Sequence, residues 1–180
     1  ASKLEDVAGL GRLYIKIQLK LMRRKFKFDV LHAHVANDAG YFSSSLAESK
    51  NNASVVTCQG VDIQSLPEIG YGVRLDEKIA KRLSSSLPKF DKICIVGLNM
   101  LGDLKDLDRP ISKAVHIPNG AEVRRIQSLP VDKKTTRKNL GLPADKHILI
   151  AIGRNHPKKG YANIPDIVHE LIKFRKDFVY

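Results

Sequence analysis

Short apolar runs separated by helix-length segments are the feature that most limits how this chain can fold. The runs cover residues 28–34, 54–60, 92–97, 114–117 and 147–153. They are nearly continuous rather than alternating, which is typical of buried strands in a parallel sheet. The segments between most of them are long enough for crossover helices, of which we predict three, at 39–50, 76–88 and 163–176. We therefore predict an α/β fold with a helix-covered parallel sheet.

A change in composition at residues 121–135 indicates a domain boundary. This segment contains Pro130, follows an Asn-Gly pair and precedes a short helical stretch closed by Gly141 and Pro143. We predict one domain in residues 1–122, and a linker with the start of a second domain in residues 123–180. One β-α unit cannot bury its own faces, so we expect the second domain to need residues outside this sequence.

The leading segment, residues 3–27, predicts a basic amphipathic helix. One face carries Leu10, Leu13, Tyr14, Ile17 and Leu21, and most of the cations fall on the other face. Two interpretations are open: a helix packed on the sheet with a solvated outer face, or a helix that docks on an anionic membrane surface. Neither a run of about 18 apolar residues nor a signal-peptide pattern occurs. We therefore expect a soluble, cytoplasmic chain, with peripheral membrane contact as the second option.

The net charge of +12 is concentrated at the two ends of the chain. It is +6 over residues 1–27, zero over 28–125 and +6 over 126–180. A basic nucleic-acid-binding module is one explanation, and a basic helix plus a separate anion site explains the pattern equally well. Aromatic residues make up only 6% of the chain, Trp is absent, and no helix-turn-helix, RRM or KH signature occurs. We therefore expect no nucleic-acid partner.

Two other classes of function are disfavoured. Cys58 and Cys94 lie inside apolar strand-like runs without metal-ligand spacing, so we expect buried thiols rather than a disulfide or a zinc site. A dinucleotide-dependent dehydrogenase is disfavoured because no GxGxxG follows any predicted strand.

The strongest motif is the loop at residues 153–160, which reads Gly-Arg-Asn-His-Pro-Lys-Lys-Gly. It follows a predicted strand and precedes a predicted helix, the position at which α/β sheets bind phosphorylated ligands. Arg154 would hold a diphosphate through its planar fork, and Lys159 would act as a mobile point charge. The alternative is an exposed basic loop between strand and helix.

Polar residues also follow two strands of the first domain. His32 and His34 are two residues apart and point to the same face of their strand, without a third metal ligand nearby. His34 is the better site candidate, and Asp38 is expected to cap the next helix. Gln59 and Asp62 end the second strand. The Asp62 carboxylate either accepts from a hydroxyl or fixes its own loop.

Four short motifs occur in order along the chain: DVLHAH at residues 29–34, TCQGVD at 57–62, VHIPNGAE at 115–122, and the loop at 153–160. Read together, they resemble the successive signatures of the group 1, or family 4, retaining glycosyltransferases. The resemblance covers roughly residues 28–176. It implies a GT-B architecture, in which two Rossmann-like domains face each other across a cleft, with the acceptor mainly on the first and the sugar nucleotide mainly on the second.

The resemblance also implies roles for individual residues. It assigns the loop of Gly153, Arg154 and Lys159 to the donor diphosphate, and Asn119 and Gly120 to the hinge and cleft wall. It places the catalytic candidates of the first domain at the cleft; they are His34, Gln59 and Asp62. Many members of the family carry histidine in place of Gln59, and glutamine cannot gain charge, so a proton-transfer role is not carried over.

The implied function is transfer of a hexose, with retention, from a nucleotide-sugar donor to a sugar or lipid-linked acceptor, without a metal or other cofactor. The family's first strand, and a pair of glutamates spaced eight apart that contacts the donor, fall outside this sequence. We therefore expect that residues 1–180 alone do not catalyse the reaction. A non-catalytic remnant is the alternative.

Overall fold

The computed structural model describes residues 10–49, 52–107, 111–129 and 132–180. Residues 3–9 of the predicted leading helix lie outside these ranges. The chain forms two compact units, of which the first ends at Asn119 and the second begins at Gly120. The boundary predicted between residues 122 and 123 lies shortly after this division.

The first unit is built on a four-stranded parallel sheet in the order β1-β2-β3-β4. Its strands and helices, in chain order, are α1 (Leu10–Phe26), β1 (Val30–His34), α2 (Tyr41–Ala47), β2 (Ala53–Cys58), α3 (Glu77–Ser86), β3 (Lys92–Ile95), α4 (Met100–Asp106) and β4 (Ala114–His116). Because successive strands are parallel neighbours, right-handed connections bring α2, α3 and α4 to one face. The predicted α/β fold with a parallel sheet is confirmed.

One face of this sheet carries the hydrophobic core. Alternate strand residues pack there with residues of the helices; the cluster includes Ala33, Val56, Cys58, Leu83, Leu87, Ile93, Ile95, Met100 and Leu104. On the other face, Val30, His32 and His34 of β1 are exposed. The predicted burial of the whole run is therefore wrong for β1. This strand stands at the end of the strand order, next to β2, and only the face that carries Ala33 is covered.

Helix α1 is present, but its predicted apolar face does not pack on the sheet. Leu13, Tyr14, Ile17 and Leu21 are 47–59% exposed. A different side of the helix, carrying Ile15 and Leu19, lines a depression shared with residues of β1 and α2. The packed-helix interpretation is thus wrong for the predicted face. No helix in the described ranges combines the length and the apolar character that spanning a bilayer requires.

The second unit contains α5 (Val123–Gln127), α6 (Lys133–Asn139), β5 (His147–Ile148), α7 (Ile164–Ile172) and β6 (Phe178–Val179). The two strands pair in parallel, with α7 between them in sequence. The strand predicted at residues 147–153 is shorter than expected because its ladder extends only along β6. Beyond the ladder, Ile150 and Ile152 are 76% and 88% exposed.

Arg74 ties the long loop after β2 to α4. Its guanidinium donates to the carbonyl of Ile63 at 3.1 Å and to the carbonyl of Asp103 at 2.9 Å. It also lies 3.9 Å from the carboxylate of Asp103 and 3.5 Å from that of Asp106. Burial raises the pKa of Asp103, and the positive charge of Arg74 opposes this shift. The loop that begins at Gln59 is therefore anchored to the helical layer.

We expect Arg74→Ala to lower the free energy of unfolding by about 2–4 kcal/mol, because it removes two backbone hydrogen bonds and leaves the largely buried Asp103 carboxylate without its cation. Urea unfolding followed by circular dichroism measures the change. Lys105→Ala removes an exposed cation from α4 and should change the value by less than about 0.5 kcal/mol. Equal effects of the two substitutions would contradict the anchoring role.

Candidate functional site

The carboxyl ends of β1 and β2 bring His34 and Gln59 into direct contact. The side-chain amide nitrogen of Gln59 lies 3.0 Å from Nε2 of His34. Two residues earlier on each strand, Nε2 of His32 lies 2.7 Å from the hydroxyl of Thr57. The four side chains form two neighbouring pairs on the less covered face of the sheet, because side chains two residues apart on a strand share a face.

The contact joins two side chains that can each donate and accept hydrogen bonds. The amide of Gln59 has NH₂ donors and an acceptor oxygen, and the imidazole of His34 has a second ring nitrogen besides Nε2. This pair can hold a sugar hydroxyl or a phosphate oxygen by hydrogen bonds, and Gln59 cannot relay a proton.

The backbone immediately after His34 is strained. Val35 has a φ of +79°, which β-branched residues rarely adopt, and residues Ala36–Gly40 form one π-helical turn. The N–H of Val35 donates to the carbonyl of Thr57 at 2.9 Å, and the N–H of Gly40 donates to the carbonyl of Val35 at 3.0 Å. Such strain costs on the order of 1–3 kcal/mol and persists where surrounding contacts impose it, often at functional sites.

Asp62 supplies the contact that holds this turn. Its side chain is 1% exposed. One carboxylate oxygen accepts from the N–H of Ala36 at 2.8 Å, and the other accepts from the N–H groups of Gln59 and Gly60, each at 2.8 Å. Both oxygens are therefore occupied by backbone donors from two loops. The arrangement favours the loop-fixing interpretation of Asp62 over acceptance from a substrate hydroxyl.

Asp38 does not cap the helix after β1, so that prediction is wrong. Helix α2 begins after Gly40 without a side-chain cap, and Asp38 accepts from the side-chain amide of Asn37 at 3.3 Å. Asp38 lies inside the π-helical turn that precedes α2, rather than at the residue that flanks the helix.

The predicted buried thiols are confirmed, since Cys58 and Cys94 are buried and unpaired. Burial, with a smaller effect of the Asp62 carboxylate, raises the pKa of the Cys58 thiol far above its ordinary value.

In the second unit, the loop at 153–160 packs around Gly153. A Cβ at this position would lie 2.9 Å from the hydroxyl of Tyr161 and 3.8 Å from the stem of Lys159. Any larger residue would have to displace the tyrosine hydroxyl, so glycine permits the approach seen here. Arg154 follows Gly153 directly, and both Arg154 and Lys159 are exposed. The structure thus brings the stem of Lys159 next to Gly153, and Arg154 adjoins Gly153 in the chain; their binding of a diphosphate stays a prediction.

The rest of this loop is fixed by its own turn. Residues Pro157–Lys159 form a short 3-10 helix that ends at Gly160, whose φ is +69°. Nδ1 of His156 accepts from the N–H of Lys158 at 3.2 Å at the start of the turn. A neutral histidine is needed for this bond, since a protonated ring has no lone pair to accept with.

The predicted site residues fall into separate groups. His34, Gln59 and Asp62 come together in the first unit, and the diphosphate loop belongs to the second. Asn119 and Gly120 are exposed and stand at the division between the units, so their hinge role stays a prediction. The described residues contain no cluster of three or more His, Cys, Asp or Glu side chains placed to share a metal ion.

Sequence reasoning missed Thr57, Val35 and Tyr161 at these places. Thr57 lies on the same face as Gln59 by strand alternation, so the period of two could have identified it. No local pattern marks Val35, because valine favours extended backbone with negative φ. Tyr161 follows Gly160 directly, but its approach to Gly153 depends on the fold of the loop.

We expect Asp62→Asn to lower the free energy of unfolding by about 1–3 kcal/mol, because the amide keeps one acceptor oxygen and turns its NH₂ donor towards a backbone N–H. Urea unfolding gives the stability, and hydrogen exchange of the Ala36, Gln59 and Gly60 amides reports the lost bonds. Asp38→Asn is the matched control and should change stability by less than about 0.5 kcal/mol. Unaltered protection of these three amides would contradict the role given to Asp62.

Comparison with known proteins identifies the family to which this chain belongs. The sequence matches the glycosyl transferase 4-like family over residues 4–93, which is half of the chain and includes His34, Gln59 and Asp62. A protein of Bacillus subtilis (strain 168), named "Putative teichuronic acid biosynthesis glycosyltransferase TuaC", is 25% identical over 154 residues. The match covers 85% of this chain and 38% of that relative, so the chain spans well under half the length of the relative. The chain belongs to the glycosyl transferase 4-like family, that is, to the family 4 glycosyltransferases.

Proposed function

We propose that this chain is part of an enzyme that transfers a sugar from a nucleotide-sugar donor to an acceptor, in carbohydrate biosynthesis, and that residues 1–180 alone do not catalyse the transfer. Family membership supports the reaction class. The observation that carries the proposal is the loop at 153–160, in which Tyr161 and Lys159 lie close to Gly153, and Arg154, the next residue in the chain, is exposed. The name of the Bacillus subtilis relative, which refers to teichuronic acid biosynthesis, supports the assignment to carbohydrate biosynthesis.

In this proposal Arg154 and Lys159 bind the donor diphosphate. The guanidinium fork contacts two phosphate oxygens, and the lysine ammonium adapts its position on a flexible stem. When the bond between sugar and phosphate breaks, negative charge develops on the departing nucleoside diphosphate. Two cations held at that point stabilise the charge, and we assign this role to them rather than to a metal ion.

We further propose that transfer occurs with retention, which the family resemblance implies. The bond between the anomeric carbon and the phosphate oxygen breaks, and the acceptor hydroxyl oxygen bonds to the same face of the sugar. The hydroxyl proton passes to the departing phosphate oxygen, so that no protein base is consumed. His34 and Gln59 orient hydroxyl groups by hydrogen bonds, and Asp62 fixes the backbone that carries them.

Peripheral membrane contact through α1 is also proposed, and it suits a lipid-linked acceptor. The half-exposed stripe of Leu13, Tyr14, Ile17 and Leu21 can enter the headgroup boundary. The neighbouring cations of the helix then face anionic headgroups. The cytoplasmic location stays a prediction.

We expect the chain to bind UDP or GDP weakly and in a salt-sensitive way. Arg154→Ala combined with Lys159→Ala should lower the affinity about tenfold or more, since each charge-assisted hydrogen bond is worth about 1.5–3 kcal/mol. Isothermal titration at two salt concentrations measures both effects. Lys133→Ala with Lys138→Ala removes the same charge from α6 and should leave the affinity nearly unchanged.

A parallel titration with duplex DNA separates this proposal from a basic nucleic-acid-binding module. Selective nucleotide binding favours sugar transfer. Equal UDP affinity in the loop variant and the wild type would show that Arg154 and Lys159 do not bind the nucleotide. Tight DNA binding without nucleotide selectivity would replace the proposed function with the nucleic-acid module.

Retention is tested on the transfer product. A nucleotide sugar of known anomeric configuration is supplied with an acceptor to a preparation that is active in transfer, and the anomeric proton of the product is observed by NMR. We expect the configuration of the donor to be preserved. An inverted product would rule out the same-face mechanism while leaving donor binding at the loop intact.

A further inference from the structure

A basic groove lies between α1 and α2 in the first unit. It encloses about 650 Å³, a volume typical of small-molecule sites. Among the described residues, the lining of the groove contains one carboxylate, that of Asp29, and the cations Lys16, Lys20, Arg24 and Lys27, with Arg23 beside them. Cations gathered this closely repel one another, and a bound anion relieves the repulsion.

The wall formed by α2 adds a hydroxyl that has no partner. Ser43 and Ser44 donate to the carbonyls of Ala39 and Tyr41 in the preceding turn. Ser45 comes next and lines the groove, and within the described ranges its Oγ is the buried side-chain oxygen that makes no hydrogen bond. A buried hydroxyl without a partner is unfavourable, and a phosphate oxygen bound at this wall of the groove would accept its hydrogen bond.

The groove is separate from the edge that carries His34 and Gln59. Phe28 and Asp29 precede β1, and Asn52 precedes β2, so the groove opens at the amino ends of the strands. A five-residue strand places the two edges roughly 16 Å apart. The side-chain amide of Asn52 donates to the carbonyl of Phe28 and holds the two entering segments together.

We propose that this groove binds phosphate groups, as a second anion site. Lysine ammonium groups and arginine forks match phosphate oxygens, and the Ser45 hydroxyl donates to one of them. In the described lining, Lys16, Lys20, Arg24 and Lys27 outnumber the carboxylate of Asp29, and this excess of positive charge favours a ligand with several negative charges, such as a diphosphate or a phosphomonoester, over a single carboxylate. The ligand is either a free phosphorylated solute or a lipid headgroup. This inference does not rest on the proposed sugar transfer.

The first test uses inorganic pyrophosphate and the chain carrying Arg154→Ala and Lys159→Ala, so that the loop at 153–160 does not contribute. Calorimetric titration should show saturable binding. Adding Lys20→Gln and Arg24→Gln should lower the affinity at least about tenfold, because each charge-assisted hydrogen bond is worth roughly that factor. Lys133→Gln with Lys138→Gln is the charge-matched control. An equal loss in the groove pair and in the control would show general charge attraction and overturn the site.

Ser45→Ala separates a built site from a diffuse basic surface. The substitution should weaken phosphate binding severalfold, because one donor is lost. The thermal midpoint should stay the same or rise, because a buried unsatisfied hydroxyl is removed. Unchanged affinity in this variant would overturn the proposed site.

Vesicle sedimentation identifies the source of the phosphate. Phosphatidylcholine vesicles with and without phosphatidic acid are compared for wild type, Lys20→Gln/Arg24→Gln and Ser45→Ala. Binding that needs phosphatidic acid and is lost in both variants assigns a headgroup, even where pyrophosphate does not bind. Pyrophosphate binding with no gain from phosphatidic acid assigns a free solute. Absence of both would overturn the proposal.

Discussion

The buried carboxylate of Asp62 is the contact on which the first half of the candidate site depends. At the carboxyl edge of a parallel sheet the chain leaves the ladder, and its N–H groups need new acceptors. Asp62 satisfies three of them, from Ala36, Gln59 and Gly60, with one side chain. Burying a charged carboxylate costs desolvation, and charge-assisted bonds to three donors offset that cost. The turns after β1 and β2 are thereby fixed to each other.

This junction explains why a strained residue can stand next to His34. Val35 at a φ of +79° is unfavourable by itself. The turn that follows is held by the bond from Ala36 to Asp62, and the residue after Asp62 is held through the bond between Ile63 and Arg74. The strain is therefore supported by contacts that reach from the helical layer to the end of β1. The benefit is a pair of hydrogen-bonding side chains fixed before any ligand arrives.

The sequence predicts the elements of this fold well, because run length and spacing are local properties. It does not predict which side of α1 packs, since Ile15 and Leu19 form a second apolar strip beside the stripe of Leu13 and Ile17. The sequence also does not predict the turn after His34, because the N–H of Ala36 in this turn donates to Asp62, which lies 26 residues further along the chain. His34 and Gln59 were identified from their strand-end positions. Their contact follows from the β1–β2 register, in which His34 stands opposite Thr57, and that register is a tertiary property.

Net charge is a weak guide to the partners of this chain, because part of it is used inside the fold. In the second unit, Arg137 donates at 2.8 Å to the carbonyls of Pro143, Ala144 and Lys146. The hydrogen-bonded fork of Arg175 lowers the pKa of Asp177 to about 2. These cations stabilise turns and pairs within the unit. Other cations line the groove between α1 and α2 or belong to the loop around Gly153. This local grouping within each unit favours small anion sites over a nucleic-acid surface.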